Sequence, residues 1–389
     1  MKLKILAVTG IRSEYDILYP VLKKLQESPE FEVCLVVSSA HLSEWHNFTL
    51  KKIEEDGFNI VDKLDSLFMT NRNVQRSKGV GILTYALSQT VERENPDFLF
   101  VVGDREESIA TAIVGNYMNV ITAHLGGGDP VYGNADDPIR MAVSKLAHIH
   151  FTTAELYAEN LRNMNEDSFR IFFSGNPAFE NIKNIPKKSL IEISDFISFD
   201  ISNGNYIVLV KHPLSSEELS AYDQMMVTLE ALEEFCNKWN FKVVASYPNT
   251  DPGSYDIIRA IKEYENKDFI KFYNTIPREF FVNIIKNAKT LIGNSSMGIL
   301  EAPFYKLPVI NVGNRQKGRL NAGNVKFVDH DKRIILEHLE ESCFNEAYRK
   351  SILELNCPYD NGSAPDIIHD TLLKINPKDI KWLNKINLC

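Results

Sequence analysis

Leu3-Lys4-Ile5-Leu6-Ala7-Val8-Thr9-Gly10-Ile11-Arg12-Ser13-Glu14-Tyr15-Asp16 carries a short apolar run through a single glycine into a stretch of helical periodicity. A strand that feeds straight into a helix is the opening of a βαβ unit on a parallel sheet. The same alternation recurs outward from it. Val33 to Ser39, Phe98 to Gly103, Asn119 to Leu125 and Ile149 to Thr153 read as further strands. Glu14 to Glu27, Gly81 to Glu94 and Glu107 to Met118 read as helices between them, which makes this half doubly wound α/β.

The pattern weakens between Ser174 and Asn205, a stretch holding Pro177, Pro186, a lysine pair and scattered asparagines. It then resumes with strands at Tyr206 to Val210, Phe241 to Ser246, Phe269 to Phe272, Thr290 to Ile292 and Val309 to Val312. The expected organisation is an N-terminal domain over 1–175, a connection over 176–204, a C-terminal nucleotide-binding domain over 205–365, and a helical segment over 366–389 that packs back on the N-terminal domain. Open α/β sheets take ligands beyond the carboxyl ends of their strands, so two such domains are expected to face a shared cleft, with the chemistry in strand-to-helix loops.

A length of 389 residues suits two cores, and 44% hydrophobic with 24% charged residues is a globular composition. Forty-three basic against 52 acidic residues leave a net charge of -9, which disfavours nucleic acid and anionic membrane surfaces as partners. Five cysteines, Cys34, Cys236, Cys343, Cys357 and Cys389, share no CxxC spacing and indicate neither a disulfide framework nor a zinc ribbon. The nine histidines show no metal-ligand spacing. With no cleavable leader and no long apolar window, a cytoplasmic location is expected.

Gly10 to Asp16 lacks the G-x-G-x-x-G of a dinucleotide site, and the second strand ends in Ser38-Ser39-Ala40-His41 rather than an acid, so NAD is disfavoured. Arg12 beside a helix start suits a phosphate, or else pairs with Glu14 or Asp16. Asp104, at the end of the strand before Arg105-Glu106-Glu107, stands where the sheet opens; it is a candidate for proton chemistry or a helix N-cap. Gly126-Gly127-Gly128-Asp129 lets backbone approach a ligand closely. Asp136-Asp137-Pro138-Ile139-Arg140 opens a helix with Ile139, Val143 and Leu146 on its buried face, and Asp136 and Arg140 one turn apart either react or form an exposed ion pair. His148 and His150 read as packing residues.

His212, directly beyond a strand, is placed either to meet anionic oxygen or move a proton, or to serve a structural role. Gly293-Asn294-Ser295-Ser296-Met297-Gly298 offers backbone donors to a diphosphate, with N-capping by Ser295 as the plainer reading. Glu301 lies too far in for a capping box and suits a pair of ribose hydroxyls. Arg315, Lys317 and Arg319 in the loop after Pro308-Val309-Ile310-Asn311-Val312 point to a negative ligand.

This ordered set, over about residues 3 to 330, resembles the hydrolysing UDP-N-acetylglucosamine 2-epimerases, especially the branch of the sialic- and legionaminic-acid pathways. The likeness is carried by Gly10-Ile11-Arg12-Ser13-Glu14-Tyr15, Gly103-Asp104-Arg105, Asp136-Asp137-Pro138-Ile139-Arg140 with Ser144-Lys145-Leu146-Ala147-His148, Lys211-His212-Pro213, Asn294-Ser295-Ser296 with Glu301, and Arg315-Gln316. The resemblance implies two Rossmann-like domains of the glycosyltransferase-B type, a UDP-sugar substrate, no metal or other cofactor, and a homodimer or homotetramer. It also implies anti elimination of UDP to a 2-acetamidoglucal, then hydration to the free 2-epimer. Arg12, Arg105, Ser295, Ser296, Glu301 and Arg315 would bind substrate, and His212 with Arg315 would stabilise the departing nucleotide. Asp104, Asp129 and Asp136 would handle protons, with Arg140 orienting a carboxylate.

One departure is visible. The family pattern His-Ile-Glu-Gly-Gly-Glu reads here His124-Leu125-Gly126-Gly127-Gly128-Asp129, so Gly126 replaces a glutamate. Either Asp129 takes over its part, or the vacated volume admits a bulkier sugar substituent. A glycosyltransferase, which would need an acceptor, and a non-catalytic nucleotide-sugar sensor are the competing readings.

Overall fold

Successive side chains of the first strand go to opposite cores. Ile5 and Ala7 pack with Tyr15, Leu18, Val21, Leu22 and Leu25 on one face, whereas Leu6 and Val8 pack with Leu83, Leu87, Val91, Ala110 and Val114 on the other. Phe98, Phe100 and Val102 against Leu99 and Val101 repeat that split, which is why these strands read as unbroken apolar runs. The computed structural model describes residues 2–44, 48–68, 74–130, 136–214, 216–249 and 253–385.

These residues fall into two units, one of residues 2–130, 136–181 and 359–385, the other of residues 182–358. The first holds β1 (Leu3–Thr9), β2 (Phe31–Ser38), β3 (Asn59–Leu64), β4 (Phe98–Val102), β5 (Ile121–Leu125), β6 (Ile149–Thr152) and β7 (Ile171–Phe173) in one sheet of order β3-β2-β1-β4-β5-β6-β7. All pairs are parallel. The helix after β1, Arg12–Glu27, covers one face and the helix after β4, Glu106–Met118, the other, so the chain reverses its winding between β1 and β4. Ligands of such sheets bind beyond the strand ends at that reversal.

The second unit holds β8 (Tyr206–Val210), β9 (Lys242–Ser246), β10 (Ile270–Tyr273), β11 (Leu291–Gly293), β12 (Val309–Val312) and β13 (Val325–Val328) in the order β10-β9-β8-β11-β12-β13, again all parallel. Its core joins Ile207 and Leu209 to Leu229, Leu232, Ile257, Ile261 and Ile335. Winding reverses between β8 and β11.

Three strands escape the sequence reading: β3, β7 and β13, all at sheet edges. An edge strand is less completely covered, so in β3 and β13 polar residues such as Asn59, Asp62, Lys63 and Lys326 dilute the apolar run that marks a central strand, whereas β7 is apolar but only three residues long. The stretch 176–204, read as a connection, contains the helices Ala178–Lys183 and Leu190–Ile197. The second opens on a capping box, with Glu192 N donating to Ser189 Oγ at 3.2 Å and Ser189 N to the Glu192 carboxylate at 2.7 Å, and it buries Ile193 and Ile197 four residues apart. The helix Ala364–Lys374 adds Ile368 and Leu372 to a core of the first unit, joined there by Ile375 and Trp382. Among the described residues no helix is long and apolar enough to cross a membrane.

Candidate active site

In the first unit the ends of β4 and β5 are drawn together by one guanidinium. Arg140 lies in the helix Asp136–Leu146, set against the sheet by buried Val143 with Ile139 and Leu146 partly buried beside it. Its Nε donates to Asp104 Oδ2 at 3.1 Å, and Nη2 contacts the same oxygen. Nη1 donates to Asp129 Oδ2 at 3.1 Å and to the Gly126 carbonyl at 3.2 Å. The side chain is only 11% exposed; burial alone would lower its pKa, but Asp104 and Asp129 outweigh that and hold it firmly charged. A planar fork can serve two carboxylates and a carbonyl at once, which a lysine ammonium cannot.

Among the described residues the partners of Arg140 are Asp104 and Asp129, so the reading of Arg140 as a purely exposed residue does not hold. Asp136 opens the helix, and its side chain lies outside the described residues. Asp104 is not the helix N-cap either. That position is Arg105, extended at φ -87° and ψ -178°, which frees the Asp104 carboxylate for Arg140. Gly103 makes the turn at φ +77°.

His124 on β5 is fully buried, with Nε2 2.8 Å from the Gly103 carbonyl, so that nitrogen carries the hydrogen, and Nδ1 3.4 Å from Ser144 Oγ. Burial pushes it down to about 3, and it works as a neutral strut beneath the Asp104 turn.

Sequence reading passed over Glu14 and Glu107, which is where the structure differs most from expectation. Glu14 does not pair with Arg12, whose nearest carboxylate is Asp16, 3.9 Å from Nε at a half-exposed site. Glu14 and Glu107 are both buried, and Glu14 Oε1 and Glu107 Oε2 are without hydrogen-bond partners among the described residues. Burial pushes both carboxyls up, and each side chain's negative neighbours add to this, Glu107 acting on Glu14 and Glu106 on Glu107. A Cβ on Gly10 would stand 1.9 Å from Glu107 Oε1, so the glycine that turns β1 into its helix also makes room for this carboxyl. The signal was present in Gly10, but a helix-start glutamate ordinarily faces solvent. Glu106 follows the ordinary pattern and pairs with Arg76.

In the second unit the loops after β8, β11 and β12 converge on Asn294. Its Oδ1 accepts from His212 N at 2.7 Å and its Nδ2 donates to the His212 carbonyl at 2.8 Å, locking the two loops. Its own carbonyl accepts from Arg315 Nη1 and Gln316 Nε2, each at 3.2 Å. Asn249 N donates to His212 Nδ1 at 3.0 Å, which leaves the hydrogen of the neutral ring on Nε2. His212, Ser295 and Arg315 are thus brought together around one asparagine that the sequence reading quoted without singling out.

Ser295 Oγ accepts from Met297 N at 3.3 Å, the capping role, while Ser296 stands at the N-cap position without a side-chain capping bond. The helix they open is one turn, Met297–Leu300, too short for a strong dipole, and Glu301 closes it rather than lying inside it. Beneath His212, Lys211 is buried, donates to the Gln224 carbonyl and Thr228 Oγ1 at 2.7 Å each, and is pushed down to about 7 by burial.

Each unit thus presents a loop cluster at the ends of a doubly wound parallel sheet, the arrangement of nucleotide-sugar enzymes with two Rossmann-like halves. The sequence profile described as UDP-N-acetylglucosamine 2-epimerase matches residues 23–373, and the chain belongs to that family. It is 29% identical over 384 residues to the UDP-N,N'-diacetylbacillosamine 2-epimerase (hydrolyzing) of Legionella pneumophila, covering 99% of both chains. It is 30% identical over 392 residues to a polysialic acid biosynthesis protein of Escherichia coli, covering 99% of this chain and 98% of the other. Its fold matches the crystal structure of UDP-GlcNAc 2-epimerase from Neisseria meningitidis bound to UDP-GlcNAc with a TM-score of 0.81, at 20% identity and 96% and 100% coverage.

Proposed function

We propose that this chain is a hydrolysing nucleotide-sugar 2-epimerase acting on UDP-N-acetylglucosamine or its 4-acetamido analogue, UDP-N,N'-diacetylbacillosamine. The observation that carries the reading is Arg140 holding Asp104 and Asp129 together at the ends of β4 and β5. Two carboxylates held by one guanidinium are fixed in direction, which is what removal of a weakly acidic proton asks of a base.

Asp104 or a partner carboxylate, Asp129 or Asp136, takes the C2 proton while the C1–O bond to the diphosphate breaks on the opposite side. The electron pair of the C–H bond becomes the C1=C2 double bond, and UDP carries away the C1–O pair. Ser295, Ser296, Arg12, Arg105 and Arg315 hold the diphosphate, Glu301 the ribose, and His212 with Arg315 stabilises the charge that develops on the leaving oxygen. Water then adds across the double bond, hydroxyl to C1 and proton to C2 from the other face, releasing the free 2-epimer. That product, N-acetylmannosamine or its 4-acetamido counterpart, feeds nonulosonic acid synthesis in the cytoplasm, with the enzyme a homodimer or homotetramer.

Gly126 favours the larger sugar. At φ +87° a Cβ there would find, among the described residues, no heavy atom nearer than Gly103 N at 4.0 Å, which leaves room where the family pattern has a glutamate side chain. The name of the Legionella relative points the same way.

Proton NMR in heavy water tests the reading. UDP should appear together with a free 2-epimer deuterated at C2. A UDP-linked epimer without UDP release would make the enzyme non-hydrolysing. Turnover only with an acceptor would make it a glycosyltransferase, and binding without exchange a sensor.

A further inference from the structure

The family match ends at residue 373, yet residues 380–385 are built into the support of the Arg140 helix. Lys385 Nζ donates to the carbonyls of Lys145 and Ala147 at 2.7 Å each and lies 3.3 Å from the Ser144 carbonyl. These are carbonyls at the C-terminal end of Asp136–Leu146, which lack partners within the helix and collect its partial negative charge.

The same ammonium is 2.6 Å from Glu166 Oε2. The Glu166 side chain is wholly buried, and its carboxylate also takes Lys145 Nζ at 2.9 Å and meets His150 Nε2 at 3.2 Å. Burial alone would push Glu166 up, but the hydrogen bonds from His150, Lys385 and Lys145 outweigh it and hold it at about 2. Lys385 is pushed down by burial to about 8 and keeps its proton at neutral pH.

The chain leading to Lys385 is anchored by Arg170, fully buried. It donates to the carbonyls of Trp382 and Lys381 at 2.6 Å each and of Asn384 at 2.7 Å, and the Trp382 ring meets Phe169 edge-on. Buried ion clusters contribute little net stability over a well-packed apolar replacement, so fixing register is the better account of this one. The register set here is one turn from the reacting groups: Ser144 Oγ donates to the Arg140 carbonyl at 2.9 Å and touches His124, the strut under Asp104.

We propose that Lys385 is a positioning residue for the reaction, capping the Asp136–Leu146 helix so that Arg140 presents Asp104 and Asp129 in working register. This rests on the reading of Arg140 and its aspartates given above.

The test compares the full-length wild type with K385M and K385R, using NMR turnover of the UDP-sugars, UDP affinity, and amide hydrogen exchange over residues 136–147. K385M is expected to lower kcat about tenfold or more with KM and UDP affinity changed less than about twofold, because only the reacting geometry is disturbed. Exchange over 136–147 should speed up, and K385R, which keeps the charge, should recover most of the lost kcat. If K385M does not fold, K385Q serves for the same comparison.

Wild-type kcat in K385M alongside an impaired R140K would overturn the clamp and leave the epimerase reading standing. KM and UDP affinity deteriorating in step with kcat, or no recovery in K385R, would make Lys385 a general stabiliser and also overturn the proposal. A wild type inert on every UDP-sugar would sink the epimerase reading instead; unchanged exchange in K385M would then still reject the clamp.

Discussion

Replacing Arg140 with lysine keeps a positive charge and removes only the fork, so it asks whether the geometry itself matters. In the wild type two donors meet Asp104, a third meets Asp129 at 3.1 Å and the Gly126 carbonyl at 3.2 Å. A lysine ammonium, one atom with three donors, cannot meet both carboxylates and the carbonyl in the geometry of the fork, so the bond to Asp129 is the one lost. Asp129 is 3% exposed, so water cannot replace the lost bond. A hydrogen bond to a charged group contributes about 1.5–3 kcal/mol. We therefore expect R140K to lose about 1.5–3 kcal/mol, a fall in melting temperature on the order of 3–12 °C. Carboxylates displaced by about 1 Å would lower kcat roughly a hundredfold. Thermal unfolding followed by circular dichroism and UDP release followed by NMR read the two effects separately. Adding D129N completes a double-mutant cycle, with an expected coupling of about 1.5–3 kcal/mol where independent sites would add within about 0.5 kcal/mol. An R140K protein that melts with the wild type and keeps its kcat, or a cycle that is additive, would refute the argument.

Glu107→Gln should stabilise the protein at pH 8. A carboxyl pushed up by burial binds its proton more tightly folded than unfolded, so stability falls as pH rises from the unfolded value through the folded one, and the amide removes that fall; the check is melting temperature from pH 4 to 8.5 in both proteins. Gly293→Ala should cost more than about 3 kcal/mol, because φ is +136° and the new Cβ would stand 1.9 Å from the Val210 carbonyl, which Asn294 N holds in place; urea unfolding that matched the wild type would contradict it. Gly126→Glu should shift preference toward UDP-N-acetylglucosamine by about tenfold or more in kcat/KM, since a side chain there occupies the volume assigned to the 4-acetamido group; equal losses on both sugars would remove Gly126 from substrate selection.

How the site was legible can be followed residue by residue. Asp104, His212, Ser295 and Arg315 stand directly after apolar strands, and in a parallel sheet that position alone aims them beyond the strand ends. Which side chains act together was legible only in part: the resemblance set Arg140 to orient one of the carboxylates, without saying that it was Asp104. The pairing of Arg140 with Asp104 spans 36 residues, and the sequence offered Asp136 one turn away as the nearer partner. Local spacing ranks partners by chain distance, whereas the folded protein ranks them by burial, and the buried guanidinium turned to the acids on the neighbouring strand ends.

Composition and the alternation of strand and helix by themselves determined the doubly wound α/β architecture, because a strand covered on both faces must be apolar at every position and therefore announces itself. The edge strands β3, β7 and β13, the burial of Glu14 and Glu107, and the reach of Lys385 back to the Asp136–Leu146 helix were decided only by tertiary structure. Each depends on what packs against a residue from far along the chain, and a charged side chain looks the same in sequence whether it faces water or closes the end of a helix 240 residues away.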